Sequence, residues 1–479
     1  MKKWLFILIL FFPIILNIYT LLVNIVADFS LLDYFLKKRV ILLIVNSFFF
    51  SFIVTTFCMI FGAVVSIGYF KTIESKKKLY LLILFLLFSI NPIIYLTFFK
   101  SIALFNSFSA FWQSVIVLSS SLIFLWSLIS IFILESLNYE EIRAGLMVSS
   151  KWNILKYIIK PRLLFSYLLA SIVVFVLAFS NSEIASILGY RTYSEEFLAQ
   201  ISLMDSLDLI SIIALPYYLL ATLFLFIIWF FVKRYSIEFR FRSYKKGLKG
   251  KSNTIALGIL GTIFVTLVIF LGYRIDFNNI YLLFKENIEV LFNSIFIGFI
   301  VAIVAFVFSI LIYKYLFSYG IIAILLFVFL TPSALVGFGI IEIMQFFNIE
   351  NEISSFLFFI FGNSIKLIPI GVIVLAIMDS KEMVDRTLEL LPISKKDIFF
   401  KIVLPLNRLK WLFVISILLV FALNQLSISI LLVPVGFDLI IIKIYNLLHY
   451  GDYLSVTFLS ILQIMMIVLV MSIVYRISR

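Results

Sequence analysis

The residue types that could do chemistry in this chain are few, and most of them interrupt long apolar stretches: Asn91, Asn181, Glu183, Glu342, Asn363, Lys366, Asn424 and Gln425. An amide, carboxylate or ammonium group in such a stretch is costly, so it either bonds a neighbouring helix or lines a path for a solute. Glu183 and Glu342 fall near the outer ends of their apolar runs, where water is close enough to carry a charge. Lys366 lies deeper, about one turn before Pro369, a position suited to bracing helices or a carboxylate. Material for catalysis is poor. The one histidine, His449, makes no metal site by itself, and the one cysteine, Cys58, cannot form an intramolecular disulfide. No clustered His, Asp and Glu or Ser-Lys pair occurs within the runs. The residues therefore predict no catalytic site and no metal site, and the polar set reads as candidate lining of a translocation path or gate.

Composition says what must hold these groups. Hydrophobic residues make up 64% of the chain and charged residues 13%, against roughly 25% charged in a soluble domain. No soluble core absorbs that much apolar surface, so lipid must be the solvent for most of it. A bilayer-crossing helix needs about 20 apolar residues. Nearly charge-free runs of that size occur at 4–27, 40–70, 79–99, 112–134, 163–182 and 209–232, then at 252–273, 290–313, 315–341, 353–378, 411–437 and 453–475. These predict an all-α integral membrane protein of about twelve transmembrane helices, since in lipid a helix satisfies its own backbone. Lys2 and Lys3 before the first run resemble a signal peptide. The run is too long for one, so a retained helix is expected. Lys and Arg cluster in alternate connections, which predicts both termini on the cytoplasmic side; Lys37, Lys38 and Arg39 are the main misfits. The net charge of +13 is then a topology signal, and nucleic acid is not an expected partner.

The chain also repeats itself. "VNSFFFSFIV" at 45–54 answers to "FNSIFIGFIV" at 292–301, Pro92 to Pro332, and Asn181 to Asn424. Six runs per half is an even number, so the halves are expected to be parallel repeats about an axis along the membrane normal: residues 1–235, a basic cytoplasmic linker at 236–252, and residues 253–479. The linker region carries "GLKGKS", a near miss to a phosphate-binding loop. Lys245 stands where that motif needs its first glycine, and no strand precedes it. A basic linker touching anionic lipid is the simpler reading.

A polar interruption is written twice as well, once per half. Asn138 to Pro161 and Ser380 to Pro405 each read as a short amphipathic helix, a break, and a second helix returning to the membrane. Ser149 and Ser150 make the first break; Pro392 to Ser394 make the second. Ser394 with Asp397 forms a capping box, and Ser150 with Asn153 a weaker one. An interfacial helix held by lipid explains either alone; two at matching places suit a two-fold symmetric partner.

These loops resemble the "EAA" loop of binding-protein-dependent ABC importer permeases, and the tandem arrangement is similar to the fused permeases of the ferric-iron and thiamine type. The likeness extends over nearly the whole chain, including "IKLIPIGVIVLAIMDS" and "LLVPVGFDLIIIKIYNLLHYG". The Glu-Ala-Ala pattern survives as Glu141 and Ala144, followed by Gly145, and as Asp385 and Glu389, with Arg386 beside them. At the family's spacing before Pro161 and Pro405, Val148 and Pro392 stand where the family has glycine. The resemblance implies a bacterial inner-membrane permease that moves a small solute by alternating access. It implies two copies of a separate cytoplasmic ATPase, which hold ATP and magnesium and grip one loop each, and a periplasmic or lipid-anchored solute-binding protein. No cofactor is then expected in this chain. The rival reading is an ion-coupled secondary transporter of the twelve-helix type. Such a carrier usually shows a Gly-rich, Asp/Arg-containing loop after its second span, and "GYFKTIESKKK" lacks it.

Overall fold

The computed structural model describes residues 7–8, 10–135, 147–203, 207–235, 255–273, 280–316, 318–349, 351–378 and 404–477. Among them every regular element is helical. Eight helices are long and apolar enough to cross a membrane, or up to 11 if each of three bent pairs is one span. The chain is a multi-pass helical protein by that measure.

The first bent pair is α1, Phe12–Ala27, followed at 99° by a short 3-10 helix, Phe29–Leu36. Asp28 makes the corner with extended backbone and accepts the Ser30 N–H at 2.9 Å. Then comes α2, Lys38–Lys71, whose Phe48, Phe49 and Phe52 are exposed while Phe50, Val54 and Cys58 are buried. Next are α3, Glu74–Ser89, and α4, Pro92–Lys100, bent by 78°. The run at 79–99 is thus two helices rather than the single straight one that hydropathy predicts. Pro92 has no N–H to donate and forces Asn91 out of helical backbone (ψ 139°). The chain continues through α5, Ala110–Glu135, and α6, Lys160–Phe179, to short α7, Glu183–Ile187, then α8, Tyr193–Ser202, and α9, Leu215–Tyr235.

A similar order follows. α10, Ile255–Tyr273, is mostly exposed along its length, and α11 spans Ile280–Leu311. α12, Tyr319–Leu330, and α13, Ser333–Phe346, meet at 97° across Thr331 and Pro332, so the 315–341 run is also broken by its proline. α14 spans Glu352–Met378, α15 Leu404–Leu423, α16 Ser427–Leu432, α17 Ile440–His449 and α18 Tyr453–Ile477. The run at 411–437 is not one span: α15 ends before Asn424, and residues 433–439 are not helical. Charge-free sequence continues there, but Pro434 and Gly436 (φ +88°) form a turn closed by the Phe437 N–H on the Pro434 carbonyl at 3.2 Å.

Small residues let the long helices approach closely. Ser127 of α5 donates to the Gly62 carbonyl of α2 at 3.2 Å, and a Cβ on Gly62 would lie 2.5 Å from the Trp126 ring. Ser309 of α11 donates to the Ile368 carbonyl of α14 at 3.1 Å, and a Cβ on Gly371 would collide with its side chain. Lipid offers no hydrophobic drive for helix pairing, so such contacts and hydrogen bonds supply it. Distant parts of the chain interlock: α1 packs on α13, while α10 and α18 pack on α3.

Candidate functional site

The polar groups gather where the short helices α7 and α16 follow the long helices α6 and α15. α7 rests on α4 and α5; α16 rests on α13 and α14. Glu183 opens α7 and Ser427 opens α16, and the Ser427 hydroxyl donates to Glu183 Oε1 at 3.4 Å across 244 residues of sequence. Both side chains are half-buried. The Tyr445 hydroxyl of α17 lies beside Ser186, Glu183 and Glu195. Burial pushes the Glu195 carboxyl above its usual value.

The local sequence sets these positions. Asn181 caps α7, its Oδ1 accepting the Ile184 N–H at 3.2 Å. Gly189, with φ +74°, closes that helix: its own N–H reaches Ser186 O at 3.0 Å and the Tyr190 N–H reaches Ala185 O at 2.8 Å. The helices that follow are anchored alike. The Tyr193 N–H donates to Ser47 Oγ at 2.7 Å, and the Ile440 N–H donates to Ser294 Oγ at 2.7 Å. Both donor and acceptor in the second bond lie 247 residues beyond those of the first.

Each proline break leaves carbonyls that a neighbouring helix satisfies. Asn424 Nδ2 donates to Ser89 O at 2.8 Å, at the end of α3, and its Oδ1 accepts from Gln463 of α18 at 3.0 Å. Lys366 Nζ donates to Val328 O at 3.2 Å, to Phe329 O at 2.8 Å and to Thr331 O. Its ammonium group is thus enclosed by the corner between α12 and α13. Asn91 caps α4 through the Ile93 N–H at 2.8 Å and is buried. Asn363 donates to Phe359 O at 2.9 Å and, with Ser294 and Ser429, lines a cavity of about 20 Å³, room for one water molecule. Gln425 is buried with its Oε1 unpartnered.

Of the sequence-predicted path residues, Glu183, Asn424 and Glu342 therefore each meet a residue of the other half of the chain, at Ser427, Ser89 and Thr20, while Lys366 ties α14 to the corner between α12 and α13. Glu342 is apart from them, bonded by Thr20 of α1 at 3.1 Å. Sequence reasoning missed Ser427, Tyr445, Gln463, Asn17 and Thr20. Gln463 and Asn17 were findable, because each is a lone amide in an apolar run.

Much of the duplicated loop lies outside the described residues: Glu141, Ala144 and Gly145 in the first copy, Asp385, Arg386, Glu389, Ser394 and Asp397 in the second. Pro405 falls in the first turn of α15. The first break is described. The Asn153 N–H donates to Ser150 Oγ at 3.3 Å, and Asn153 Nδ2 donates to Ser149 Oγ at 3.1 Å. A turn of helix, Lys151–Ile154, and a π-helical turn, Leu155–Ile159, then run into α6, with Pro161 in its first turn. Met147, Val148, Trp152 and Tyr157 are exposed there. At the other loops, Arg39 pairs with Glu196 at 2.5 Å, so one of the misfit basic residues has an acidic partner. Among the described residues no three His, Cys, Asp or Glu side chains are grouped to hold a metal ion. Comparison with protein-family models, curated proteins and solved structures finds no match.

Proposed function

We propose that this chain is the permease of a binding-protein-dependent ABC importer in a bacterial inner membrane, built as two parallel six-helix halves with both termini cytoplasmic. The observation that carries the reading is the contact between Glu183 and Ser427. Their separation of 244 residues equals that between Ser150 and Ser394 and between Pro161 and Pro405. In a two-fold arrangement, a residue and its repeat mate touch only where the axis passes, because each lies half their separation from it. On this reading the 3.4 Å bond is the contact expected of two side chains beside that axis, where two halves leave room for a central path. The paired anchors at Ser47 and Ser294 and the paired proline corners support the same two-fold.

On this reading α7 and α16 close the outer mouth, with Glu183 its polar contact. The solute arrives from a binding protein outside. Two copies of a cytoplasmic ATPase, carrying ATP and magnesium, grip the duplicated loops and drive alternation through rigid helices that have two packings. Exposed apolar residues at Met147, Val148 and Trp152 suit a protein partner better than water. The solute is small, and its recognition rests mainly with the binding protein.

Affinity purification of the tagged permease from its native host tests the assignment. An ATPase should accompany it at two copies per chain, and Trp152→Arg should lower that yield about 5- to 150-fold, as expected for about 1–3 kcal/mol lost at a packed contact. Solute uptake by the isolated permease, driven by an ion gradient without ATP, would assign it instead to the secondary carriers.

A further inference from the structure

A second polar cluster lies away from Glu183, at the seam where α1 packs on α13, with Tyr218 reaching it from the first turn of α9. Asn17 is 1% exposed, and Glu342 and Tyr218 are buried with it. Asn17 commits its Nδ2 to the Leu335 carbonyl at 2.8 Å, which leaves its Oδ1 as an acceptor only. The Thr20 hydroxyl faces two acceptors, Asn17 O at 3.0 Å and Glu342 Oε1 at 3.1 Å, with one proton to give. The Tyr218 hydroxyl lies beside both Glu342 and the Asn17 amide. No hydrogen bond of ordinary geometry reaches Asn17 Oδ1, Glu342 Oε2 or the Tyr218 hydroxyl. Among the described residues no Lys or Arg pairs with Glu342.

Buried polar atoms are normally satisfied, and an unpaired buried carboxylate costs several kcal/mol. Here three unpartnered oxygens, joined by that of Thr20, come from a carboxylate, an amide and two hydroxyls. Hard cations prefer such oxygen sets. A single carboxylate neutralises a single positive charge, so a divalent ion would leave excess charge in an apolar seam. Gly339 makes the arrangement possible: a Cβ there would collide with the Pro13 carbonyl, so α1 and α13 approach closely only because it is bare.

We propose that this seam binds one monovalent alkali-metal cation, with Glu342 as the charged ligand and Asn17, Thr20 and Tyr218 supplying neutral oxygens. The ion then fastens α1 and α9, from early in the chain, to α13. The inference does not rest on the importer reading, because its readout is stability rather than transport.

The experiment is thermal unfolding of the full chain in detergent at fixed pH and ionic strength, with choline chloride replaced stepwise by sodium or potassium chloride. Tm should climb with the logarithm of one alkali ion above its Kd, and Glu342→Gln should abolish the climb. Tyr218→Phe and Thr20→Val each remove one oxygen with little change of shape, and should raise the half-saturating ion concentration by roughly 3- to 10-fold. They keep the test decisive should Glu342→Gln not fold. Equal Tm in choline, sodium and potassium overturns the proposal, as does an ion effect that both hydroxyl deletions leave unchanged. A protonated carboxyl band in the infrared, assigned through Glu342→Gln and insensitive to alkali ions, overturns it too, because the cluster then closes on a proton.

Discussion

Lys366 and Asn424 look alike in sequence, as polar residues stranded in apolar runs, yet they occupy different situations. Lys366 answers three carbonyls at the corner between α12 and α13; Asn424 answers one carbonyl at the end of α3 and one amide of α18. Removing a partner from buried groups exposes their full desolvation cost. Lys366→Met is therefore expected to destabilise by about 2–4 kcal/mol, more than Asn424→Leu at about 1–2 kcal/mol. Tm of both variants in one detergent checks the order. Glu183→Gln keeps the shape of the Ser427 contact but removes its charge. It is expected to change solute uptake or binding-protein-stimulated ATP hydrolysis while leaving Tm within a few degrees. That these positions are polar breaks in apolar runs was legible, because polarity inside such a run is visible in one dimension. Their partners were not. Ser427 and Tyr445 are unremarkable by type, and only tertiary packing brings them to Glu183.

Helices were legible where the apolar runs are uniform, as at 112–134, 163–182 and 353–378, which coincide with α5, α6 and α14. Bends were not, because hydropathy carries no direction. Pro92 and Pro332 mark two corners, but a proline opening a helix and a proline inside one, such as Pro369 within α14, are written the same way. The anchors of α8 and α17 offer a test at this scale. Ser47→Ala and Ser294→Ala each strip one acceptor from a buried backbone N–H, so each should cost about 1–2 kcal/mol. The two lie in different parts of the molecule, so the double variant should show the sum within about 0.5 kcal/mol.

Across the whole molecule, the proposed two-fold makes a geometric demand that sequence repetition alone does not. If Glu183 and Ser427 share the axis, cysteines placed at both positions, with Cys58 replaced by Ser, should be joined by a short bifunctional thiol reagent. A protease site inserted near Ser243 would cut the chain between its halves, and only the joined double variant should then migrate at full length on a denaturing gel. Two free fragments after efficient labelling of both thiols would remove the axis from that place. A single cysteine at Ser243 should also resist an impermeant thiol reagent in intact cells, or spheroplasts, that label one at the exposed Ser107, if the termini are cytoplasmic.

The packing of α1 on α13 also has a history in time. Asn17 finds the Leu335 carbonyl 318 residues further along the chain, and synthesis proceeds at roughly 5–20 residues per second. For roughly 15 s to a minute, then, α1 has emerged from the ribosome while α13 does not yet exist. Its Asn17 and Thr20 cannot reach their later partners during that interval. They must bide in water, in the insertion machinery or against a helper protein before the seam closes. α1 is made well before α13 but docked late, so residues 1–235 produced alone should stay bound to the insertase or be degraded, and co-production of residues 253–479 should rescue them.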